Sequence, residues 1–383
     1  MKKYIFITFI LLLIDLILSQ TILLPLIEKN NENIYKNDLK NRIYNKNYKY
    51  TFKKNTEFIS QYYGYKYKIN TNNLGFRDET SENIDFNQTY NIVIGDSFVE
   101  GVALNYKDTL VGQLNNANEK NLRFLNAGVA SYSSYIYYKK IKNIIEDNKD
   151  LKIKNIILLL DKSDVLDDIH YLEKPDFFIE TKEKAYVNER KKELKEDLLN
   201  LNFFSFITKQ TITGKTIKLL SDLIEEKLGN LKKRIVLSKK LNKSFFSITQ
   251  NQIKSLKSIN NRKFITNTFV GKQWNEKAIP SINFSIENIN LLNNYLITKK
   301  IKLYVVLYPW SFELDDYSIA DAYLEYLIPK LKKNKINIIN TYNSFTKNEI
   351  YELVGDIFIY NDIHYNKKGY KIIAENILKN LKN

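Results

Sequence analysis

YNIVIGDSFVEG, residues Tyr90–Gly101, carries the decisive signal in this 383-residue chain. Tyr90 to Ile94 is a short run rich in β-branched and aromatic residues, and Gly95-Asp96-Ser97 breaks it. A brief apolar run that stops at a glycine and enters a polar turn reads as a buried strand followed by a strand-to-helix turn. The rhythm recurs downstream, with further strand candidates at Leu122–Asn126, Asn155–Leu160, Lys302–Leu307 and Asn337–Asn340. Helical patterns follow most of them, at Tyr135–Asp147, Ala320–Lys333 and Lys367–Leu381. Alternating strands and helices predict an α/β fold: a three-layer sandwich whose central parallel sheet has about five strands, with helices on both faces.

Ligands of open parallel sheets bind at the carboxyl ends of the strands, and here the polar residues gather at those ends. GDSFVEG follows the first strand, NAGVASYSS with Gly128 the second, DKSDVLDD from Asp161 the third, and Tyr308-Pro309-Trp310 the fourth. NDIHYNKKGY, with Asp362 and His364, comes close to the C-terminus. Acyl transfer asks for such a set. A serine hydroxyl needs a base to take its proton, histidine titrates in the useful range, and a carboxylate fixes the imidazole tautomer. The chain has only two histidines. His170 lies in a run with Asp164, Asp167 and Asp168, where it balances local charge. His364 has Asp362 two residues before it and opens the last helix. Ser97 sits at a turn whose N–H groups point outward and can hold an oxyanion. Each motif alone has a plain alternative, GDS as a tight turn and Asp-x-His as a helix cap. Together, in order and with one suitable base, they point to Ser97 as nucleophile, His364 as base and Asp362 as the acid that orients it.

This ordered set resembles the SGNH (GDSL) hydrolase superfamily. IGDSFVEG is similar to its first block, which supplies the nucleophile; NAGVASYS to its second, whose glycine N–H, here Gly128, lines the oxyanion hole; NDIHYNKKGYKIIA to its last, which supplies base and acid. NNLGFRD, Asn72–Asp78, resembles a segment that often precedes the first block in membrane-attached bacterial members. The resemblance runs from about residue 72 to 383 and leaves a long internal segment unmatched. Two positions depart from it. Ser163 stands where the third block usually has an asparagine oxyanion donor, and Asn361 stands where the acid usually lies. The Asp362-x-His364 spacing is instead similar to alginate-type O-acetyltransferases, although that branch places the pair ahead of its nucleophile. The resemblance implies serine-dependent hydrolysis or transfer of an O-acyl ester, acetyl on a cell-envelope polysaccharide being the expected case, with no metal or organic cofactor. Two rivals stand beside it: a catalytically degenerate domain that binds glycan or scaffolds an envelope complex, and a lipid or lysophospholipid esterase. Trp310 suits stacking on a sugar ring and core packing equally well.

Outside these blocks, Lys2 and Lys3 precede an apolar run from Tyr4 to Ile27, interrupted by Asp15 and by Ser19, Gln20 and Thr21. Its length suits a bilayer-spanning helix, and the flanking charge keeps the N-terminus cytoplasmic with the rest exported. No A-x-A motif follows Leu18, so residues 1–27 read as an uncleaved membrane anchor rather than a cleaved signal. Residues 28–88 read as a stalk and a first lap over the domain surface. The SGNH-like α/β domain is expected over 89–383, broken by a helical insertion at 172–280 that contains the amphipathic stretches Glu189–Leu199, Thr216–Leu228 and Lys232–Leu241. Lys and Arg number 59 against 43 Asp and Glu, a net charge of +16. The basic residues are spread from end to end with no aromatic-interleaved patch, so nucleic acid is not an expected partner. The absence of cysteine excludes disulfides, thiolate metal sites and cysteine catalysis.

Overall fold

A computed structural model of the chain describes residues 33–34, 36–62, 64–117, 122–164, 167–168, 212–260, 274–315, 317–345 and 350–382, with residues 269 and 272 and scattered positions between 7 and 18. The chain divides into two compact units, Met1–Lys36 with Phe177–Ile248, and Asn37–Asp176 with Thr249–Asn383.

The larger unit is built on a mixed sheet. β1 (Arg42–Asn45) and β2 (Lys49–Phe52) form a separate antiparallel ribbon. β3 (Thr56–Tyr62), β4 (Tyr65–Thr71), β5 (Arg77–Asp78), β6 (Thr89–Ile94), β7 (Arg123–Asn126), β8 (Lys152–Leu159), β9 (Lys302–Leu307) and β10 (Asn337–Asn340) make one eight-stranded sheet in the order β10-β9-β8-β6-β7-β5-β4-β3. The five expected strands are β6 to β10, and the pairings among these five are all parallel. Ile92, Val93 and Ile94 at the centre are fully buried, as a strand covered on both faces requires.

The expected wholly parallel sheet is corrected at one edge, where β3, β4 and β5 add antiparallel pairs. The region read as a stalk and surface lap therefore supplies three strands of the main sheet. These strands bury one face only: Phe58 and Ser60 are buried while Glu57, Ile59 and Gln61 are exposed. Such strands alternate polar with apolar residues, and here Lys66 and Lys68 alternate with Tyr67 and Ile69. Tyr62 pairs with Tyr65 across a tight hairpin in which Gly64 takes a φ of 81°, a value that suits glycine.

The helices of this unit are α1 (Ser97–Glu100), α2 (Leu110–Asn116), α3 (Ser134–Asp147), α5 (Gln250–Asn260), α6 (Ile279–Thr298), α7 (Tyr317–Lys333), α8 (Ile350–Ile357) and α9 (Lys367–Lys382). They pack in two groups, α3 with α6 and α7, and α2 with α9, α8 and α5. α5, inside the expected insertion, belongs to this packing, because Gly355 of α8 lets the Asn251 carbonyl approach to where a Cβ would lie only 2.0 Å away.

The smaller unit contains α4 (Ile212–Lys240). This single helix replaces the two stretches expected at Thr216–Leu228 and Lys232–Leu241. Gly229 lies inside it, and one interior glycine costs a helix only about 1 kcal/mol. The stretch Glu189–Leu199 lies outside the described residues, as does most of 1–27. Among the described residues no helix is long and apolar enough to cross a membrane.

Candidate active site

The Ser97 turn begins where β6 ends. Asp96 caps the single-turn helix α1, its Oδ1 accepting the Phe98 N–H at 3.0 Å. Gly101 ends that turn in the left-handed region (φ 77°), its N–H returning to the Ser97 carbonyl at 2.9 Å. Gly128, from the loop after β7, lies so close that a Cβ would meet Val99 at 2.5 Å and the Glu100 nitrogen at 2.8 Å. These constraints fix Ser97, the one half-buried residue among buried neighbours, at the carboxyl end of the central strand.

The structure brings Ser97, His364 and Asp362 together. Ser97 Oγ lies 2.8 Å from His364 Nε2. His364 Nδ1 lies 2.5 Å from Asp362 Oδ1, and the same oxygen accepts the His364 backbone N–H at 2.8 Å. Both residues are buried. Asn361, at the more usual position of the acid, is exposed in the left-handed region (φ 58°). Two rings hold the imidazole: Phe98 at 4.5 Å between centroids and Tyr62 edge-on at 5.2 Å. His170 lies outside the described residues.

Asp96 adds a group that the motif reading left out. Its Oδ2 lies 3.2 Å from Ser97 Oγ. Burial, reinforced by the Asp161 carboxylate, pushes the Asp96 carboxyl well above the usual carboxylate range. The Ser97 hydroxyl thus has two acceptors within reach, Asp96 Oδ2 at 3.2 Å and His364 Nε2 at 2.8 Å.

The opposite side differs from the sequence expectation. The Gly128 N–H donates to Asn126 Oδ1 at 3.0 Å. Ser163 turns back on Asp161, its hydroxyl donating to Oδ1 at 2.5 Å and its N–H to the same oxygen at 2.8 Å. Both expected oxyanion donors thus have partners within the chain. The cause is reach: a serine hydroxyl two residues after an aspartate meets that carboxylate before it meets anything across a cleft. Among the backbone hydrogen bonds of the described residues, none uses the Ser97 N–H. Trp310 is also corrected. It is 1% exposed, donates Nε1–H to Asp161 Oδ2 at 2.7 Å and stacks beside Phe98, so it presents no face to a sugar. Tyr308 donates to the same Asp161 oxygen at 2.8 Å.

Buried charges from the N-terminal region brace the turn. Arg77 donates to the carbonyls of Glu100 at 2.6 Å and Gly101 at 2.8 Å. Arg42 meets the Glu100 carboxylate through two hydrogen bonds, at 2.9 and 2.7 Å. Glu100 Oε2 in turn accepts the Ala130 N–H at 2.6 Å, joining the loop that carries Gly128. From the last helix, Tyr370 donates to the Phe98 carbonyl at 2.8 Å. Arg77 falls within the NNLGFRD stretch and could be singled out as a charge beside buried positions; Arg42 and Tyr62 carry no such signal.

No family model matches this chain, and no curated protein matches it. Among solved structures it is similar to TesA, at 9% identity and a TM-score of 0.39 over 77% of this chain and 98% of that one. It is similar to a putative lipolytic protein of G-D-S-L family from Desulfitobacterium hafniense DCB-2, at 10% identity and a TM-score of 0.37 over 76% and 99%. It is also similar to the psychrotrophic esterase EstA from Pseudoalteromonas sp., at 9% identity and a TM-score of 0.37 over 76% and 96%. Likeness at this level decides nothing about chemistry, which rests on the geometry above.

Proposed function

We propose that this chain cleaves or transfers O-acyl esters through Ser97. The observation that carries the reading is the 2.8 Å approach of Ser97 Oγ to His364 Nε2, with Asp362 on the far nitrogen. In the first half-reaction Ser97 Oγ attacks the acyl carbon while His364 Nε2 takes the hydroxyl proton. Asp362 keeps Nδ1 protonated and stabilises the imidazolium. The Ser97 N–H donates to the oxyanion. The tetrahedral adduct then collapses, the C–O bond to the alcohol breaks, and His364 returns the proton to the leaving alkoxide. In the second half-reaction His364 deprotonates water or a sugar hydroxyl, which attacks the acyl-Ser97 carbon and releases acid or a new ester.

Acetyl on a cell-envelope polysaccharide is the substrate we favour. The Asp-x-His spacing and the apolar N-terminal run, read as an anchor with the domain outside the cytoplasmic membrane, support it. A fluorophosphonate probe is expected to label wild-type protein and not Ser97→Ala, and acetate rather than fatty acid is expected from envelope extracts. Faster ester consumption when an envelope oligosaccharide is added marks transfer; an unchanged rate with all acyl groups recovered as free acid marks hydrolysis. A second reading, a non-catalytic glycan-binding or scaffold domain, is favoured by the engaged Gly128 and Ser163 donors. Absence of probe labelling in folded protein selects it.

A further inference from the structure

α4 carries an apolar surface on its outside. The helix has 29 residues, about 43 Å at 1.5 Å per residue. Ile224, Leu228, Leu231 and Ile235 recur at helical spacing and form one stripe. They are 58, 52, 47 and 48% exposed, whereas Leu237, on another side of the helix, is fully buried. The helix therefore packs through a different face and leaves this stripe uncovered.

The charges around the stripe indicate what covers it. α4 contains eight Lys and Arg against three Asp and Glu. Lys227, Lys232, Arg234 and Lys239 occupy the positions that border the stripe by helical geometry. A second copy laid along the stripe would set these cations against their equivalents, and like charges at flanking positions oppose helix pairing. Apolar residues bordered by Lys and Arg instead match a lipid interface, where long basic side chains reach the headgroups while the stripe enters the acyl boundary. A second exposed apolar surface lies where α4 begins. The Thr213 N–H donates to Asp15 Oδ2 at 2.8 Å, and Leu11, Ile14 and Ile17 around that aspartate are 61, 47 and 51% exposed.

We propose that α4 lies flat in the interface of an anionic lipid bilayer, with the Ile224–Leu228–Leu231–Ile235 stripe buried among acyl chains and the flanking Lys and Arg on lipid phosphates. The docking does not depend on the chemistry at Ser97.

The chain has no cysteine, so a single introduced cysteine can carry a polarity-sensitive fluorophore without background labelling. The full chain would be labelled at Leu228→Cys, at Ile235→Cys and, off the stripe, at Glu226→Cys. Each would be mixed with phosphatidylcholine vesicles with and without phosphatidylglycerol, both bearing a lipid nitroxide. The expected result is strong quenching and a blue shift at 228 and 235, little at 226, and dependence on the anionic lipid. Because each basic residue near an anionic leaflet contributes about fivefold to partitioning, Lys232→Glu with Lys239→Glu should weaken quenching at 228 at least about tenfold. Hydrolysis of a soluble ester should be unchanged by that pair. The readout is local to α4, so it holds even where the N-terminal run keeps the chain on vesicles. Equal quenching at 226 and 228, no lipid quenching at 228 and 235, or a blue shift that follows protein concentration rather than lipid would overturn the proposal; the last would mean that a second copy covers the stripe.

Discussion

The two sides of Ser97 are built differently. On the base side, Asp362, His364 and Ser97 are linked at 2.5 and 2.8 Å, and Phe98 and Tyr62 clamp the ring. On the oxyanion side, the Gly128 N–H and the Ser163 hydroxyl bond to Asn126 and Asp161. On the proposed reading, activating Ser97 and stabilising the charge it creates fall to separate loops, and one can be complete while the other is thin. The base side is short-range within the last block, since Asp362 and His364 are two residues apart. The oxyanion side depends on which residue lies two positions before Ser163, because Asp161 captures its hydroxyl.

Five substitutions test that contrast. The largest effect is expected from Ser97→Ala, a loss of about 10⁴-fold or more in turnover of a small activated acetyl ester, with the folded state retained. Near-normal turnover would place the nucleophile elsewhere. Asp362→Asn should lower kcat by about 10³- to 10⁴-fold through the wrong imidazole tautomer. Adding Asn361→Asp should not rescue it, because residue 361 is exposed with a left-handed backbone; recovery would show that the acid can act from either position. On the other side, Ser163→Asn introduces a longer donor and should raise kcat by about tenfold, below the effect of one full oxyanion donor. Ser163→Ala should stay within about threefold, since its hydroxyl already serves Asp161. A large loss in the alanine variant would mean that Ser163 leaves Asp161 when substrate binds.

A last change concerns stability under the Gly128 loop. Lys140 donates to the Ala127 carbonyl at 2.8 Å and to Tyr132 at 3.1 Å. Burial pulls its ammonium down from 10.5 to about 7. The unfolded chain therefore holds this proton over a range where the folded chain has released it. Stability should rise with pH between about 7 and 10.5, by up to about 1.4 kcal/mol per unit, and level off below and above. Lys140→Met should remove that slope in denaturant unfolding series. The same slope in the variant would assign it to another group.

The core was legible because of where it lies. β6 and β8 are covered on both faces and read as continuous apolar runs ending in chemistry-bearing turns. β3 and β4 were not, because half-buried strands of Lys, Tyr and Asn resemble surface chain until paired. Ser97, Asp362 and His364 could be picked out by residue type and order, with only two histidines to weigh. The engagement of Ser163 and Gly128 could not, since a choice between hydrogen-bond partners is settled by tenths of an ångström. Trp310 suited two roles on paper, and the buried Asp161 carboxylate that accepts its N–H settles it in the core. Tyr62 reaches the imidazole through a hairpin whose pairing is not encoded near His364.

The proposed nucleophile and base are separated by 267 positions, and on that reading the distance sets a timetable for reactivity. Chains are made from the N-terminus, and domains tend to fold as their segments emerge. A nascent chain that ends anywhere before residue 364 can contain the whole Ser97 turn, Arg42 and Arg77 braces included, and still lack the group that takes the serine proton. Its hydroxyl stays as inert towards esters as that of free serine. Reactivity arrives only when α9 docks and Tyr370 bonds to the Phe98 carbonyl. On the proposed reading, completion of the fold is then the activating event.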